Sequence, residues 1–299
     1  MSKVAIMTDS NCGFMPDEGE KLGISVIPMP IIVDDRTYYE GVDISSELFY
    51  QKMKEGAHIS TSQPSAGDVM DAWRTLLKEY EEVVFIPMSS GLSSACASAA
   101  MLSQEEEFAG KVHVVDNHRI SVTQAQSVLD AAVMARQGYR GGQIKEILEA
   151  QSMDATIYIA VDTLEYLKKG GRVTPAAAAI GSVLHIKPVL TIQGGKLDAF
   201  AKVRGTKAAF KTMCKRLEEE LHTRFASLYH QGMMKAGIAN TLMDEAKLEE
   251  FKAAMREHFP DLELFHLPLT MSIATHVGPG SLGIGLVRCC QEEEIAGEI

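Results

Sequence analysis

The sequence predicts an α/β protein of two domains. Residues 1–154 should form a three-layer α/β/α domain around a parallel sheet, and residues 155–299 an α+β domain with a mixed sheet. Three observations carry that expectation. Up to about residue 150, short apolar runs alternate with segments of helical period. Beyond it, residues 187–193 and 196–204 flank Gly194-Gly195, a hairpin signature. A chain of 299 residues, 46% of them hydrophobic, has material for two cores.

Taken in order, residues 3–7 read as a strand delivering Thr8, Asp9 and Ser10 at its carboxyl end, the edge where open α/β sheets bind ligands. Asp9 suits a hydroxyl or a metal there, and equally an Asx turn tying down the next loop. Pro16 opens a short helix to Leu22, residues 24–33 read as one apolar strand, and Tyr38 to Gly41 as a loop. Residues 45–55 make an amphipathic helix through Leu48, Phe49 and Met53. Pro64 disfavours helix at Gln63, so Thr61 and Ser62 belong to an extended loop. Ser65 then caps a helix whose Val69, Met70, Trp73, Leu76 and Leu77 keep helical spacing.

The strand at 83–87 breaks at Met88-Ser89-Ser90-Gly91 and resumes as a small-residue helix through Met101. That order aims helix N–H groups and serine hydroxyls at an anion, although Ser90 or Ser93 as a plain N-cap accounts for the serines equally well. A strand follows at 112–115. Ser121 and Gln124 read as a capping box for a helix ending near Gly138, and a further helix runs from Gly141-Gly142 to Glu149.

In the second half, a strand at 155–161 leads to the polar stretch Asp162 to Arg172. Pro175 to His185 is a small-residue helix, and the hairpin follows. Residues 206–221 form a long amphipathic helix with Ala208, Phe210, Met213, Cys214 and Leu217 on its apolar side. A helix at 242–255, a strand at 262–267, His276 before Gly278-Pro279-Gly280, and an apolar run to Val287 complete the chain.

A net charge of −11 and a pI near 5.3 argue against nucleic acid and against resting on an anionic membrane. No segment approaches the roughly 20 apolar residues of a membrane span, so no stable membrane insertion is expected. Five scattered cysteines without a CxxC pair fit a reducing cytoplasm. The string Gly278-Pro279-Gly280-Ser281-Leu282-Gly283 matches G-x-G-x-x-G, but no helix pattern follows it, which removes the dinucleotide reading. There is no P-loop and no G-x-S-x-G elbow. The nine histidines lack ligand spacing, so neither a metal nor a cofactor is expected. Arg172, Arg204 and His276 are individually weak signals. With the hydroxyl patches at 60–65 and 89–94 they compose an anion pocket without recognisable reacting machinery.

TDS at 8–10, TSQPS at 61–65, SSGLSS at 89–94, YLKKGGR at 166–172, KPVL at 187–190 and HVGPG at 276–280 together resemble the DegV family along almost the whole chain. The resemblance implies the fold shared with the dihydroxyacetone kinase substrate subunit, enclosing one long-chain fatty acid. It also implies a carrier subunit, not an enzyme by itself, that presents the acyl carboxylate to a separate ATP-binding fatty acid kinase subunit. Thr61, Ser62, Ser93 and Ser94 would hold the carboxylate, Arg204 and His276 would lie close to it, and Arg172 would face the head group or the kinase. The chain reads SSACAS where many members carry a glycine–threonine pair. Two rival readings remain: a small-molecule phosphotransfer or hydrolytic enzyme using Ser93 with His276, and a lipid-responsive regulator.

Overall fold

The structure, a computed structural model, describes residues 3–179 and 186–290. Its first half runs β1 (Val4–Asp9), a 3-10 turn at Ser10–Cys12, α1 (Pro16–Leu22), β2 (Ile24–Ile27), β3 (Pro30–Val33), β4 (Arg36–Tyr39) and α2 (Ser46–Lys54). It continues through β5 (Ile59–Thr61), α3 (Ala66–Leu76), β6 (Glu82–Ile86), α4 (Ala95–Leu102), β7 (Val112–Val114), α5 (Val122–Arg136) and α6 (Gly141–Ala150). Strands β2-β1-β6-β7 make one sheet, parallel throughout. Alternation along β1 feeds two cores, as the pleat requires. Val4 and Ile6 pack with α5 and α6, whereas Ala5 and Met7 pack with Trp73 of α3 and Cys96 and Ala99 of α4. The result is the expected α/β/α sandwich.

The apolar stretch 24–33 is not one strand. Pro28 and Pro30 lack N–H groups, Met29 N donates to Ser10 Oγ at 3.0 Å, and the chain leaves the parallel sheet there. Past that bend it forms a second, three-stranded sheet, β4-β3-β5, antiparallel throughout. Residues 36–39 are therefore strand, where a loop was expected from Tyr38. Asp34 and Asp35, both at positive φ (47° and 67°), make the tight hairpin turn that the sequence pattern hid.

The second half comprises β8 (Ala155–Ala160), α7 (Glu165–Gly170), α8 (Pro175–Ala178), β9 (Ile186–Ile192), β10 (Asp198–Arg204), α9 (Thr206–Leu221) and α10 (Ala226–His230). Then come β11 (Met234–Asn240), α11 (Glu245–His258), β12 (Glu263–Pro268), α12 (Met271–Val277) and β13 (Leu282–Arg288). The expected helix over 175–185 lies partly outside the described residues. A six-stranded mixed sheet has the order β10-β9-β8-β13-β11-β12, with only β11-β12 parallel. Tyr158 and Ala160 point into the core under α9 and α11, while Ile157 and Ile159 face the opposite side, toward Leu92, Ile120 and Val122 of the first half.

Besides β4, the short strand β5 and helix α7, both read only as loop or polar stretch, β11 and α12 escaped the sequence pattern. Strand β11, MKAGIAN, has no clear alternation because Gly237 sits at its centre, and α12 is only seven residues long. The hairpin turn at Gly194 docks on the loop after β6. Ser89 Oγ donates to Gly194 O at 2.6 Å, and a Cβ on Gly91 would fall 2.4 Å from that same oxygen. Only glycine lets the two backbones approach so closely. Among the described residues no helix is long and apolar enough to cross a membrane.

Candidate functional site

A cavity of about 250 Å³ lies between the two halves. A single water needs about 10–15 Å³, so this space takes a molecule of many atoms. One wall is the open face of the six-stranded sheet, with Ile157 and Ile159 of β8, Ile192 of β9, Ala239 of β11 and Gly283 of β13. Leu167 of α7, Ile273 and Val277 of α12, and Met29 and Met88 of the first half add further apolar surface. Such a lining stays dry and favours a hydrocarbon.

The polar lining is contiguous. Thr61 ends β5 with Ser62 and Gln63 just after it, Ser93 and Ser94 precede α4, Arg172 follows α7, and His276 sits on α12. Thr61 Oγ1 and His276 Nε2 are 2.9 Å apart. Ser94 Oγ donates to Gln63 Oε1 at 2.9 Å, and Gln63 Nε2 donates to Ser98 Oγ at 3.1 Å, which ties the two hydroxyl patches together. Ser93 Oγ accepts from Ala95 N at 3.2 Å and so serves the start of α4 while facing the cavity, joining the capping and binding readings in one residue. Arg172 donates to Leu92 O (3.3 Å) and Gly170 O (2.5 Å), and to no carboxylate among the described residues.

Burial, reinforced by the Arg172 charge, pushes the His276 imidazole down to about 4, so the ring is neutral near pH 7. Its Nδ1 faces Gly170, where an added Cβ would lie only 2.3 Å away, and Nδ1 has no hydrogen-bond partner among the described residues. Among the described residues a nucleophile–base–orienter relay through Ser93 and His276 is not formed: Nε2 is engaged by Thr61, and none of their carboxylates orients Nδ1.

Of the residues singled out in the sequence, Thr61, Ser62, Ser93, Ser94, Arg172 and His276 line this one cavity. Arg204 stands apart. It ends β10 as an exposed residue, pairs through its backbone with Ile186 and does not reach the cavity lining. Asp9 is structural: Oδ1 accepts from Asn11 N (3.0 Å) and Oδ2 from Met88 N (2.7 Å). Burial raises its carboxyl to about 6.

The Ser121–Gln124 capping box is overturned. Ser121 takes φ 55° and makes no side-chain cap, while Gln124 Nε2 donates inward to Thr8 Oγ1, Asp9 Oδ1 and Ile86 O. The polar pull of the β1 edge outcompetes the local cap. Asn11 and Ser272 also line the cavity and were not picked out in the sequence, and Ser121, read there only as a cap, lines it too. The strained backbone of Ser121 is a mark of a constrained site, but it is invisible without coordinates.

Residues 3–288 match the family model described as "Uncharacterised protein, DegV family". The chain belongs to the DegV family. A DegV domain-containing protein of Deinococcus radiodurans is 32% identical over 287 residues, covering 95% of this chain and 98% of that one. Among solved structures, DegV of Bacillus subtilis, described as a fatty acid binding protein, superposes with TM-score 0.81 at 27% identity, covering 96% of this chain and 100% of that one. A DegV family protein from Thermus thermophilus, described by its fatty acid binding, gives 0.80 at 30% identity with coverage of 96% and 100%. A stearic acid-binding protein from Eubacterium ventriosum, at 23% identity, 0.84 and coverage of 99% and 100%, shares the fold.

Proposed function

We propose that this protein is a cytoplasmic carrier that binds one long-chain fatty acid in the cavity and presents it to a separate ATP-binding kinase subunit for acyl phosphate formation. In this reading it is not an enzyme by itself. Residues 1–154 supply the hydroxyls, and residues 155–299 close over the chain. The observation that carries the reading is an apolar cavity whose polar lining gathers six hydroxyl residues, a neutral imidazole and a guanidinium. The carboxylate accepts from the hydroxyls of Thr61, Ser62, Ser93 and Ser94, with His276 and Arg172 beside it. Of the two arginines, Arg172 is the one we assign to the head group, because it lines the cavity.

Each buried methylene contributes about 0.8 kcal/mol, so a long tail offers roughly 10 kcal/mol gross. Ordering the chain and losing its free translation remove several kcal/mol of that. The tail therefore supplies affinity and the hydroxyls supply orientation. The descriptions of the Bacillus subtilis and Thermus thermophilus relatives as fatty acid binding support the ligand class.

Native mass spectrometry of the protein purified from a bacterial host, with solvent extraction and lipid analysis, tests the reading. A stoichiometric long-chain fatty acid is expected. A clean apo mass that also fails to take up added oleate would sink it. The kinase step is read separately: hydroxylamine-trapped acyl phosphate should form only when loaded protein, ATP and a kinase subunit are combined.

A further inference from the structure

Helix α12 carries Ser272, Ile273, His276 and Val277 into the cavity, so its rotation decides where the imidazole points. The N-cap of this helix, Thr270, makes no side-chain cap bond. The cap comes instead from far away in the sequence. Both carboxylate oxygens of Glu40 accept from Met271 N, at 2.9 and 2.8 Å. Glu40 is 7% exposed and follows β4 directly. At the other end of the helix, His276 Nε2 meets Thr61 Oγ1, and Thr61 ends β5.

β4 and β5 flank the same strand, with Pro30 paired to Tyr39 and Ile31 to Thr61. One small sheet thus grips α12 at both ends, and Met271 and Ala274 pack between the grips against Ile31, Val33 and Ile59. Hydrophobic packing of this kind tolerates sliding and rotation. Two polar anchors fix both.

We propose that Glu40 is a positioning residue for the head-group site: its carboxylate cap sets the rotation of α12 and so holds His276 on the Thr61 hydroxyl. The ligand side of this inference rests on the fatty-acid reading above; the imidazole side does not. Glu40 forms no ion pair among the described residues, so it is tied to Met271 as a cap and not through a salt link.

The test measures oleate affinity by calorimetry and the imidazole 15N signals of His276, identified by their loss in His276→Gln. Glu40→Ala should weaken oleate binding about tenfold, the scale of a lost buried cap, and should shift the His276 signals in the ligand-free protein. Glu40→Gln, which keeps an acceptor for Met271 N–H, should restore most of both. Unchanged affinity and unchanged His276 signals in Glu40→Ala, with only a lower thermal midpoint, would overturn the proposal. Should Glu40→Ala fail to fold, Glu40→Asp draws the carboxylate back by one methylene and should show intermediate losses; no change in either readout there also overturns it. If the wild-type protein binds no oleate, the fatty-acid reading falls, and the His276 signals alone decide the positioning role.

Discussion

The neutral, buried state of His276 has a measurable price in acid. An unfolded histidine titrates at 6.5, whereas this ring is held down to about 4. Between those values the unfolded chain binds the extra proton and the folded one does not. The group's contribution is therefore intact above pH 6.5 and is lost as pH falls toward 4. Integrating the linkage from pH 8 to pH 4.5 gives at most about 2.5 kcal/mol. Three buried carboxyls act with the opposite sign. Burial raises Asp9 to about 6, Glu40 to about 7 and Asp130 to about 6, so their protonated forms favour the folded state as pH falls. The wild-type pH profile alone would mix these terms. His276→Gln isolates the imidazole, since the carboxyls are common to both proteins and the amide can still meet Thr61. Urea unfolding of both proteins at pH 8 and pH 4.5 should show the wild type losing about 2 kcal/mol more than the variant. Equal losses would refute the claim that His276 is buried in its neutral form.

Two further substitutions probe the cavity. Gly170→Ala places a Cβ 2.3 Å from His276 Nδ1 and must push the ring off Thr61; oleate affinity measured by calorimetry should drop about tenfold, the scale of one hydrogen bond to a charged group. Ala239→Phe projects a ring from β11 into the cavity; the protein should stay folded by circular dichroism yet carry no fatty acid in native mass spectrometry, and retention of the ligand would show that the tail lies elsewhere.

The layered α/β half was legible because its strands are compact apolar runs bounded by polar turns, as at residues 83–86, and because a helix such as that after Ser65 carries a readable cap. The hydroxyl patches were legible for the same reason: they sit at strand ends. Less was readable where tertiary demand overrides a local rule. Ser121 and Gln124 spell a capping box, yet the amide of Gln124 is worth more at the buried Thr8–Asp9 edge. Glu40 reads as an ordinary loop residue, and its partner lies 231 positions away. Arg204 and Arg172 look alike in sequence; only the fold turns one toward the cavity and leaves the other at the surface.

The cavity wall has a thermodynamic consequence. Ile157, Ile159 and Ile192 belong to a sheet whose other face is fully packed, so their side toward the cavity is an interior with atoms missing. Whatever fills it supplies dispersion contacts that the chain cannot make for itself. By mass action, a ligand at a hundred times its Kd adds about 2.7 kcal/mol to unfolding. The melting temperature of this protein is then not a constant of its sequence but a gauge of the free concentration of its guest.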